Sequence, residues 1–396
     1  MPIHSDSRIV LSVHLNESII VSLPYKMVRS FWPVGQGAFY SELLTTKITG
    51  NRGYDADTLV VYDCGSNDKD SFVTKCISLL EKQCHGRKSI DILFISHFHA
   101  DHISHIGRLL HNWDNWKVKL VVLPVISPEA LMEACLQNYT SNPQQAPFVI
   151  GLLQTLFSEK KVGDTRIVRV LPAQDGDSRT EGDQNSYYVD SMLEDSNSDI
   201  RSGSSLRFPL WEYIPCNYPT HRSSLLADSL KVNYPDLYQA FLRTDWDDIR
   251  TQLSLIPFQD IVHLYEDCYE KCQNEESMTV VSHPLVKTDP QRVATCLYTG
   301  DSPFRNKKRL DYIKSFYQCL WKEIGTIQAS HHGCGQDNPK DLYDHAVKGV
   351  MCYGTKNTYG HPGIDSFIHI ATSKGDARIV TEELCKPYTQ PIKILY

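Results

Sequence analysis

Histidine and aspartate residues are concentrated at one point of the chain, directly after a run of apolar residues. The stretch FISHFHADHISHIG, residues 94–107, holds four histidines and one aspartate in fourteen residues. Neutral imidazole and carboxylate groups suit Zn²⁺ and other first-row divalent ions. Buried or helix-capping histidines would account for one or two of these residues, but not for the whole set. The spacing therefore predicts a metal centre.

The order H-x-H-x-D-H divides the candidate ligands into two groups. His97 and His99 should leave a strand end on the same side, because alternate side chains of a strand share a face. The turn that follows directs Asp101 and His102 the other way. We therefore expect two neighbouring ligand clusters, and a catalytic zinc site keeps an open position for water beside three protein ligands.

Length and composition limit the class of protein. The 396 residues are 41% hydrophobic and 22% charged, as in ordinary soluble globular proteins. A net charge of −7 argues against coating of nucleic acid by bulk electrostatics, although a local basic site is compatible with it. The sequence shows no membrane-helix or secretion-signal pattern, and its twelve cysteines form no CxxC pair. We expect a cytoplasmic protein with reduced thiols and no membrane contact.

Strand and helix patterns alternate at both ends of the chain. In the first third, apolar runs predict strands over 28–46, 58–63, 90–95 and 118–125, and helical spacing predicts helices over 70–83 and from residue 103 onward. In the last third, the patterns predict strands at 293–301, 325–330, 350–354, 377–380 and 392–396 and helices at 308–323, near 340–348 and at 364–373. This alternation predicts an α/β domain, or a layered αββα domain.

The middle of the chain has a different composition. Residues 172–206 are rich in Ser, Asp, Gly and Asn and poor in aliphatic residues, which is typical of a long loop or a disordered segment. Helical patterning returns over 223–272. We predict one domain over 1–396 with an insertion at about 126–285, loop-rich near 173–205. The insertion offers a surface for a protein partner or for a second copy of the chain.

The motif resembles the signature of the metallo-β-lactamase superfamily, H-x-H-x-D-H after a buried strand. Further motifs resemble the metallohydrolase domain of the DNA-uptake competence protein ComEC: VGQGAFYSELL at 34–44, VVYDCGS at 60–66, NEESMTVV at 274–281, LYTGD at 297–301, SHHGC at 330–334 and NTYGHP at 357–362. The resemblance implies an αββα metallo-β-lactamase sandwich with two divalent ions, Zn²⁺ or Mn²⁺, at one edge of the sheets. It also implies hydrolysis, above all of phosphodiesters, by a hydroxide that bridges the metals.

The resemblance assigns roles to single residues. Asp301 matches the aspartate that bridges the two metals, and it follows a predicted strand. Either His331 or His332 supplies the last ligand. Consecutive side chains of a strand diverge, so we expect only one of them to bind metal, with His331 slightly favoured, and the other to orient substrate or stabilise developing charge. Asp63 matches an aspartate that hydrogen-bonds the metal-binding loop. The metal ligands predicted in this way are His97, His99, Asp101, His102, Asp301 and His331.

The motif NTYGHP supplies candidates for catalysis and substrate binding. His361 precedes a proline, which favours an extended conformation and can aim the ring into the cleft. It would donate to a phosphate or protonate the leaving oxygen, unless it only caps a turn. Asp101 and His332 are the other residues predicted to act in catalysis, and Thr358 and Tyr359 are predicted to bind substrate.

A short basic run follows the Asp301 loop. Arg305, Lys307, Lys308 and Arg309 stand where the pattern predicts the start of a helix, and positive charge there opposes the helix dipole. They are either a solvated helix face or contacts to a phosphate backbone. The second interpretation would reconcile an acidic protein with a nucleic-acid substrate.

One feature departs from the superfamily pattern. Many members carry a further histidine ligand after the next strand, and here residues 112–220 contain no histidine. Either His221, His263 or His283 fills this role, or the first metal is held by the first two histidines of the motif, the bridging aspartate and water. The second option weakens the first site, so that single occupancy or a preference for Mn²⁺ over Zn²⁺ becomes reasonable.

Three functions fit these observations. The first is a metal-dependent phosphodiesterase or nuclease, with nucleic acid or another phosphodiester as its substrate. The second is a hydrolase of a small ester, lactone or β-lactam, and the third is a metal-binding subunit that is active only with a partner protein. A soluble, stand-alone ComEC-like nuclease suggests turnover of nucleic acid, or defence, rather than uptake.

Overall fold

Two β-sheets packed face to face, with helices on both outer faces, form the described part of the chain. The computed structural model describes residues 24–46, 57–110, 115–141, 146–174, 186–193, 199–219, 225–269, 277–373 and 375–395. Strands and helices are numbered separately in chain order. This arrangement confirms the predicted α/β class and its αββα layers.

The first sheet contains the long parallel strands that carry the first motif. Its strands are β1 (Pro24–Phe31), β2 (Phe39–Thr46), β3 (Thr58–Cys64), β4 (Ser89–Phe94), β5 (Lys117–Pro124), β6 (Lys161–Val162), β7 (Thr165–Leu171), β9 (Asp199–Arg201), β13 (Thr288–Asp289) and β18 (Tyr388–Ile394). Their order is β13-β18-β1-β2-β3-β4-β5-β7-β6, with β9 paired to β7. Strands β3, β4, β5 and β7 run parallel, so their carboxyl ends share one edge.

The second sheet carries the later motifs. Its strands are β8 (Ser186–Tyr188), β10 (Ser205–Phe208), β11 (Trp211–Cys216), β12 (Thr279–Pro284), β14 (Thr295–Tyr298), β15 (Ile324–Gln328), β16 (Lys348–Cys352) and β17 (Asp376–Val380). Their order is β17-β16-β15-β14-β12-β11-β10-β8. Strands β14 to β17 are parallel, so this sheet also gathers several carboxyl ends at one edge.

Helices cover the outer faces of the two sheets, except for α6, whose buried residues belong to the core between the sheets. They are α1 (Asp70–Gln83), α2 (Ala100–Ile103), α3 (Ile106–Leu110), α4 (Pro128–Ser141), α5 (Ala146–Ser158), α6 (Val189–Met192), α7 (Leu225–Asn233), α8 (Pro235–Arg243), α9 (Trp246–Leu255), α10 (Phe258–Tyr269), α11 (Lys307–Phe316), α12 (Gln318–Trp321) and α13 (Ile364–Thr372). Buried residues of α1 to α5 and α7 to α10 share one core with the first sheet, and those of α11 and α13 share another with the second. No helix within the described ranges is long and apolar enough to cross a membrane.

Strand β3 shows why these apolar runs lie inside the sandwich. Leu59 and Val61 point into the core beneath the helices, whereas Val60 and Tyr62 point into the core between the sheets. Successive side chains of a strand face opposite sides, so a strand that is covered on both faces must be apolar throughout. The unbroken apolar pattern of this segment therefore follows from its central position.

A buried ion pair of the first sheet is hydrogen-bonded by side chains of the second. Arg29 Nε on β1 lies 2.6 Å from Glu42 Oε1 on β2, and both side chains are almost completely buried. From the second sheet, the Tyr298 hydroxyl donates to Glu42 Oε1 at 2.9 Å and the Tyr213 hydroxyl donates to Glu42 Oε2 at 2.7 Å. Because burying a charge costs free energy unless it is paired and hydrogen-bonded, these contacts fix how the sheets face each other.

Several predicted elements differ from the observed ones. The helix predicted from residue 103 is two short helices, α2 and α3, and α2 already begins at Ala100. The helix predicted at 308–323 breaks at Tyr317 into α11 and α12. The helix predicted near 340–348 is wrong: a short 3₁₀ helix spans Lys340–Tyr343, and residue 348 already pairs in β16, which leaves too few residues for an α-helix.

The segment predicted as an insertion, 126–285, takes part in both sheets. It contributes β6, β7 and β9 to the first sheet and β8, β10, β11 and β12 to the second. We propose that the added element is narrower, namely the helical segment α7 to α10, residues 225–269, which packs against α4. Much of the stretch near 173–205 lies outside the described residues, and its described part includes β8, α6 and β9.

Candidate metal centre

The carboxyl ends of five strands bring the motifs together. Asp63 lies at the end of β3, and the H-x-H-x-D-H motif follows β4 in the first sheet. From the second sheet, Asp301 follows β14, the two histidines of SHHGC follow β15, and the loop with His361 follows β16. Parallel strands with their carboxyl ends at one edge place these loops side by side.

Four buried residues bring their donor atoms into one cluster. Asp101, His102, Asp301 and His332 each offer one ligand atom, and these atoms lie within 4.8 Å of one another. His332 Nε2 is 3.0 Å from Asp101 Oδ2, and His102 Nε2 is 3.1 Å from Asp301 Oδ1. Two imidazoles and two carboxylates are a donor set that first-row divalent ions accept.

A second group lies on the other side of the Asp301 carboxylate. His97 Nε2 is 3.7 Å from Asp301 Oδ2, and the His97 and His99 rings are 4.8 Å apart. His331 Nε2 is 4.0 Å from the same Asp301 oxygen. Asp301 therefore directs one oxygen toward His102 and His332 and the other toward His97 and His331.

Two of the three imidazoles of the motif, those of His97 and His102, fit a metal ion better than they fit a metal-free core. The Nε2 atoms of His97 and His102 are buried, and neither makes a well-shaped hydrogen bond within the described part of the chain. A buried polar atom left without such a bond costs about 1–3 kcal/mol. A divalent ion beside Asp301 would give both nitrogens a partner, so the residues present fit the metal that the motif implies.

Hydrogen bonds from the Nδ1 atoms of His102 and His332 orient these two imidazoles. His102 Nδ1 donates to Asp63 Oδ2 at 2.8 Å, and His332 Nδ1 donates to the carbonyl oxygen of Cys352 at 3.1 Å. Asp63 also accepts bonds from the backbone N–H and the hydroxyl of Ser96, both at 2.7 Å. In each histidine the Nε2 lone pair is thereby left for a metal, which supports the role that the sequence suggested for Asp63.

Replacement of Asp63 tests this orienting bond. The residue has φ +55°, a left-handed conformation that asparagine tolerates, so Asp63→Asn should keep the backbone and lose the carboxylate that accepts from His102. Metal affinity is expected to fall by roughly 10- to 100-fold, as for other residues that support a metal ligand. Titration with Zn²⁺ in a competing chelator measures the change, and an unchanged affinity would contradict the role of Asp63.

The electrostatics of the centre favour ionised carboxylates, but they act on the histidines in opposite directions: the pKa values of His97 and His99 are lowered, and those of His102 and His331 are raised by neighbouring carboxylates. Burial lowers the pKa of His97 well below its ordinary value and lowers the pKa of His99 to about 4. Burial opposes ionisation of Asp101 and Asp301, but the neighbouring histidines outweigh it and hold the pKa of both carboxyls below the usual range. For His102, Asp301 and Asp63 outweigh burial and raise the pKa.

His331 and His332 do not continue the strand. They lie in a tight turn, His331–Gly333, with φ of +50° and +54°, both in the left-handed region. Consecutive side chains diverge only on extended backbone. The rule therefore does not decide whether one or both of these histidines can bind metal. Both reach Asp301, and only His332 lies in the cluster with Asp101.

Two of the three other candidates for a further histidine ligand, His263 and His283, lie away from the described centre. His283 Nδ1 lies 2.9 Å from the Thr295 hydroxyl, at the start of β14 and away from its carboxyl end. His263 is exposed on α10, where its ring contacts the side chain of Gln259. His221 lies outside the described residues.

His361 lies next to both histidines of SHHGC. Its ring is 4.9 Å from that of His331 and 6.0 Å from that of His332. Gln36 Oε1 accepts from the Gly354 N–H, so Gln36 Nε2 faces His361 Nδ1 at 3.3 Å and donates to it. The proton of the neutral ring then lies on Nε2. Burial, helped by His332 and His331, lowers the pKa of His361 to about 4.

Sequence reasoning missed three residues that hold this site in place. Gln36 fixes the His361 tautomer, and Asn357 Nδ2 donates to the carbonyl oxygen of His361 at 2.7 Å. Asp337 is fully buried and its Oδ2 accepts from His331 Nδ1 at 3.0 Å. Gln36 and Asn357 lie inside recognised motifs. However, Gln36 and His361 are 325 positions apart, and nothing in a single sequence shows that they meet.

One member of the basic run lies in the interior. Arg309 is 1% exposed, and its guanidinium carbon lies 4.3 Å from the centre of the Tyr218 ring. This position corrects the prediction that Arg309 contacts a phosphate backbone, because its long side chain packs inward from the first turn of α11.

The other basic side chains and the rest of the NTYGHP loop remain on the surface. Lys308 is exposed, and Lys307 Nζ is 2.9 Å from Asp311. Arg305 is exposed and its Nε is 3.4 Å from Asp337, the residue that orients His331. The other two candidates for substrate binding are both exposed, Thr358 and Tyr359.

One family model matches part of the chain. The family model of the metallo-beta-lactamase superfamily matches residues 53–161, which include β3 to β5 and the H-x-H-x-D-H motif. A search of curated proteins gave no significant match. The two packed sheets with outer helices agree with the αββα sandwich of this superfamily.

Solved structures are similar at low sequence identity. The metallo-beta-lactamase fold protein YhfI from Bacillus subtilis is 9% identical with a TM-score of 0.35, and the match covers 92% of this chain and 99% of YhfI. A long form RNase Z from yeast is 13% identical with a TM-score of 0.30, over 95% of this chain and 42% of that one. The metallo-beta-lactamase MIM-2 is 11% identical with a TM-score of 0.27, over 75% and 71%.

Proposed function

We propose that this chain is a metal-dependent hydrolase that cleaves phosphodiester bonds. The observation that carries the proposal is the position of Asp301 between two groups of donors. One carboxylate oxygen faces His102 and His332, and the other faces His97 and His331. A carboxylate placed in this way suits a pair of divalent ions, Zn²⁺ or Mn²⁺, and paired ions are typical of enzymes that displace groups at phosphorus.

The chain contributes ligands, orientation and a hydrogen-bond donor. When bound, the ions would supply a water of lowered pKa and positive charge beside a phosphoryl oxygen. Asp101, His102, His332 and Asp301 would hold one ion, and His97, His99, His331 and Asp301 the other. His361, with its proton on Nε2, would donate to a phosphoryl oxygen or to the leaving oxygen.

This assignment changes the role predicted for the two histidines of SHHGC. We propose that both are ligands, His332 in the buried group and His331 in the half-buried one. His331 would then supply the histidine that the superfamily pattern places earlier in the chain. Asp337 supports it, because a carboxylate bound to Nδ1 orients the ring and leaves Nε2 for the metal.

We also propose that the chain belongs to the ComEC-like branch of the superfamily. This proposal rests on the motifs around Gly35, Asp301, His332 and His361, which lie at one edge of the sheets. Cys296 and Cys352 beside these motifs are buried free thiols, which supports a reducing compartment and thus the cytoplasm.

A substrate panel tests the reaction class. The purified full chain, stripped of metal and reloaded with Mn²⁺ or Zn²⁺, is offered bis(4-nitrophenyl) phosphate, a small lactone, a chromogenic β-lactam and single- and double-stranded DNA and RNA. The proposal predicts divalent-dependent cleavage of the diester and of at least one nucleic acid. Cleavage of the lactone or β-lactam alone would replace it with the small-substrate hydrolase, and no cleavage at all would favour a subunit that needs a partner.

The two lysines at the start of α11 test contact with a polymer. If Lys307 and Lys308 bind phosphates, changing both to glutamine should weaken binding of DNA or RNA and make its salt dependence shallower, by about one log–log unit per lost contact. Salt titrations of binding measure both effects. Lys117→Gln is the matched control, because this exposed lysine begins β5 at the opposite strand end. If the salt dependence of binding is unchanged in the double variant, the two lysines do not contact phosphate and form only a solvated helix start.

A further inference from the structure

A cleft of about 260 Å³ lies between helix α4, helix α10 and the loop that carries His361. Helix α10 belongs to the helical segment 225–269, and the ring of Phe258 at its start lies 5.7 Å from that of Tyr139 on α4. The helical segment 225–269, which contains none of the proposed metal ligands, therefore forms one wall of the cleft.

The cleft adjoins the metal centre from two directions. On α4, Gln137 Oε1 accepts a bond from the backbone N–H of Ala100 at 3.0 Å, directly before Asp101. On the loop, the Tyr359 ring lies 5.9 Å from the His361 ring. A molecule that fills the cleft would thus have its other end beside Asp101 and His361.

The lining of the cleft combines aromatic rings with neutral hydrogen-bonding groups. Tyr359 is 55% exposed, so it presents a ring face on which a planar group can stack, and Tyr265 on α10 adds a second aromatic side chain. Thr140 and Ser141 supply hydroxyls from α4; the Thr140 hydroxyl donates to the carbonyl oxygen of Gln137 at 3.1 Å, so it offers its oxygen as an acceptor. The Ser141 hydroxyl accepts from Gln137 Nε2 at 3.1 Å and keeps its own proton to donate.

The charge around the cleft disfavours phosphate. Glu266 is the one charged side chain among the described residues that line it, and that charge is negative. The helical segment 225–269 carries eight aspartate and glutamate residues against three lysine and arginine residues. A phosphate would be repelled here, whereas a neutral ring with N–H donors would find an acceptor in Glu266.

We propose that this cleft binds the nucleobase next to the scissile phosphate, by stacking on Tyr359 and hydrogen bonding to the α4 hydroxyls and Glu266. The proposal rests on the proposed phosphodiesterase function and specifies its substrate as a nucleotide. Stacking on an aromatic side chain is the usual way in which proteins hold an unpaired base. The sugar–phosphate chain would then leave the site away from the acidic helical segment.

Binding of nucleotides to the metal-loaded full chain tests the subsite separately from hydrolysis. Titration calorimetry compares the four deoxynucleoside 5′-monophosphates with 2-deoxyribose 5-phosphate, which has the same phosphate and no base. At least one nucleotide should bind about tenfold more tightly than the sugar phosphate, as expected for one base stacked on one ring. Tyr359→Leu should remove that difference, whereas Tyr359→Phe, which keeps the ring, should retain it.

The controls separate the two proposals. Tyr188→Leu changes an exposed tyrosine of β8 outside the cleft and should leave the tenfold difference in place. Equal binding of nucleotides and sugar phosphate, or a difference that survives in Tyr359→Leu, would overturn the base subsite. Hydrolysis of methyl 4-nitrophenyl phosphate, which carries no base, reports separately on the phosphodiesterase function.

Discussion

Replacement of Asp301 by alanine is expected to release bound metal and to reduce phosphodiester cleavage to the uncatalysed rate. Asp301 is 2% exposed and lies between the two groups of histidines, so its loss removes a shared negative charge from both. Asp101→Ala should have a similar effect on activity, because it removes a charged ligand from the buried group. Metal analysis after dialysis and cleavage of bis(4-nitrophenyl) phosphate measure the two consequences.

His105 provides a matched control for these variants. It lies close to the motif and is buried, but its ring contacts Asp70 at 3.5 Å and Ser104 at 3.0 Å rather than the metal centre. His105→Gln should keep the bound metal and the activity, with at most a modest loss of thermal stability. Full metal content in Asp301→Ala or Asp101→Ala, or loss of metal in His105→Gln, would show that the ligands are assigned wrongly.

His332→Ala is expected to have the second largest effect, and a larger one than His331→Ala. His332 is 2% exposed and its Nε2 reaches both Asp101 and Asp301, so its loss breaks the buried group. His331 has a side chain that is 27% exposed and reaches Asp301 at 4.0 Å, so its loss should weaken only the other group. Metal titrations should show one tight ion left in His331→Ala and a weakened buried site in His332→Ala.

The reverse order would contradict this account. If His331→Ala lost the tighter ion and His332→Ala kept it, His331 rather than His332 would be the ligand of the tighter site, as the sequence slightly favoured. Circular dichroism spectra of both variants should match that of the parent chain, because each substitution removes a ring from a tight turn at the edge of the sandwich rather than from its core.

Strong periodic signals made much of the fold and part of the site predictable. Helix α1 has the predicted bounds, because Val73, Ile77 and Leu80 recur on one helical face and are all buried. The motif residues meet because loops that follow parallel strands lie at the same edge of a sheet. The bounds of a periodic helix and the common position of these loops can therefore be predicted from local sequence pattern and strand order.

Contacts between distant segments and unusual backbone conformations were not predictable. Arg309 reads as a surface residue in a basic run, but it packs on Tyr218, which is 91 positions earlier in the chain. The positive φ of His331 and His332 cannot be inferred from residue type, and it decides where both rings point. The base-sized cleft depends on how α10 packs on α4, which no local pattern specifies.

Anomalous diffraction from crystals of the chain grown with Zn²⁺ or Mn²⁺ tests the central claim most directly, because it locates metal ions without assuming any activity. The account predicts two anomalous peaks on either side of the Asp301 carboxylate, one among Asp101, His102 and His332 and the other beside His97, His99 and His331. Peaks only at other residues, or no peak beside Asp301 at saturating metal, would contradict it.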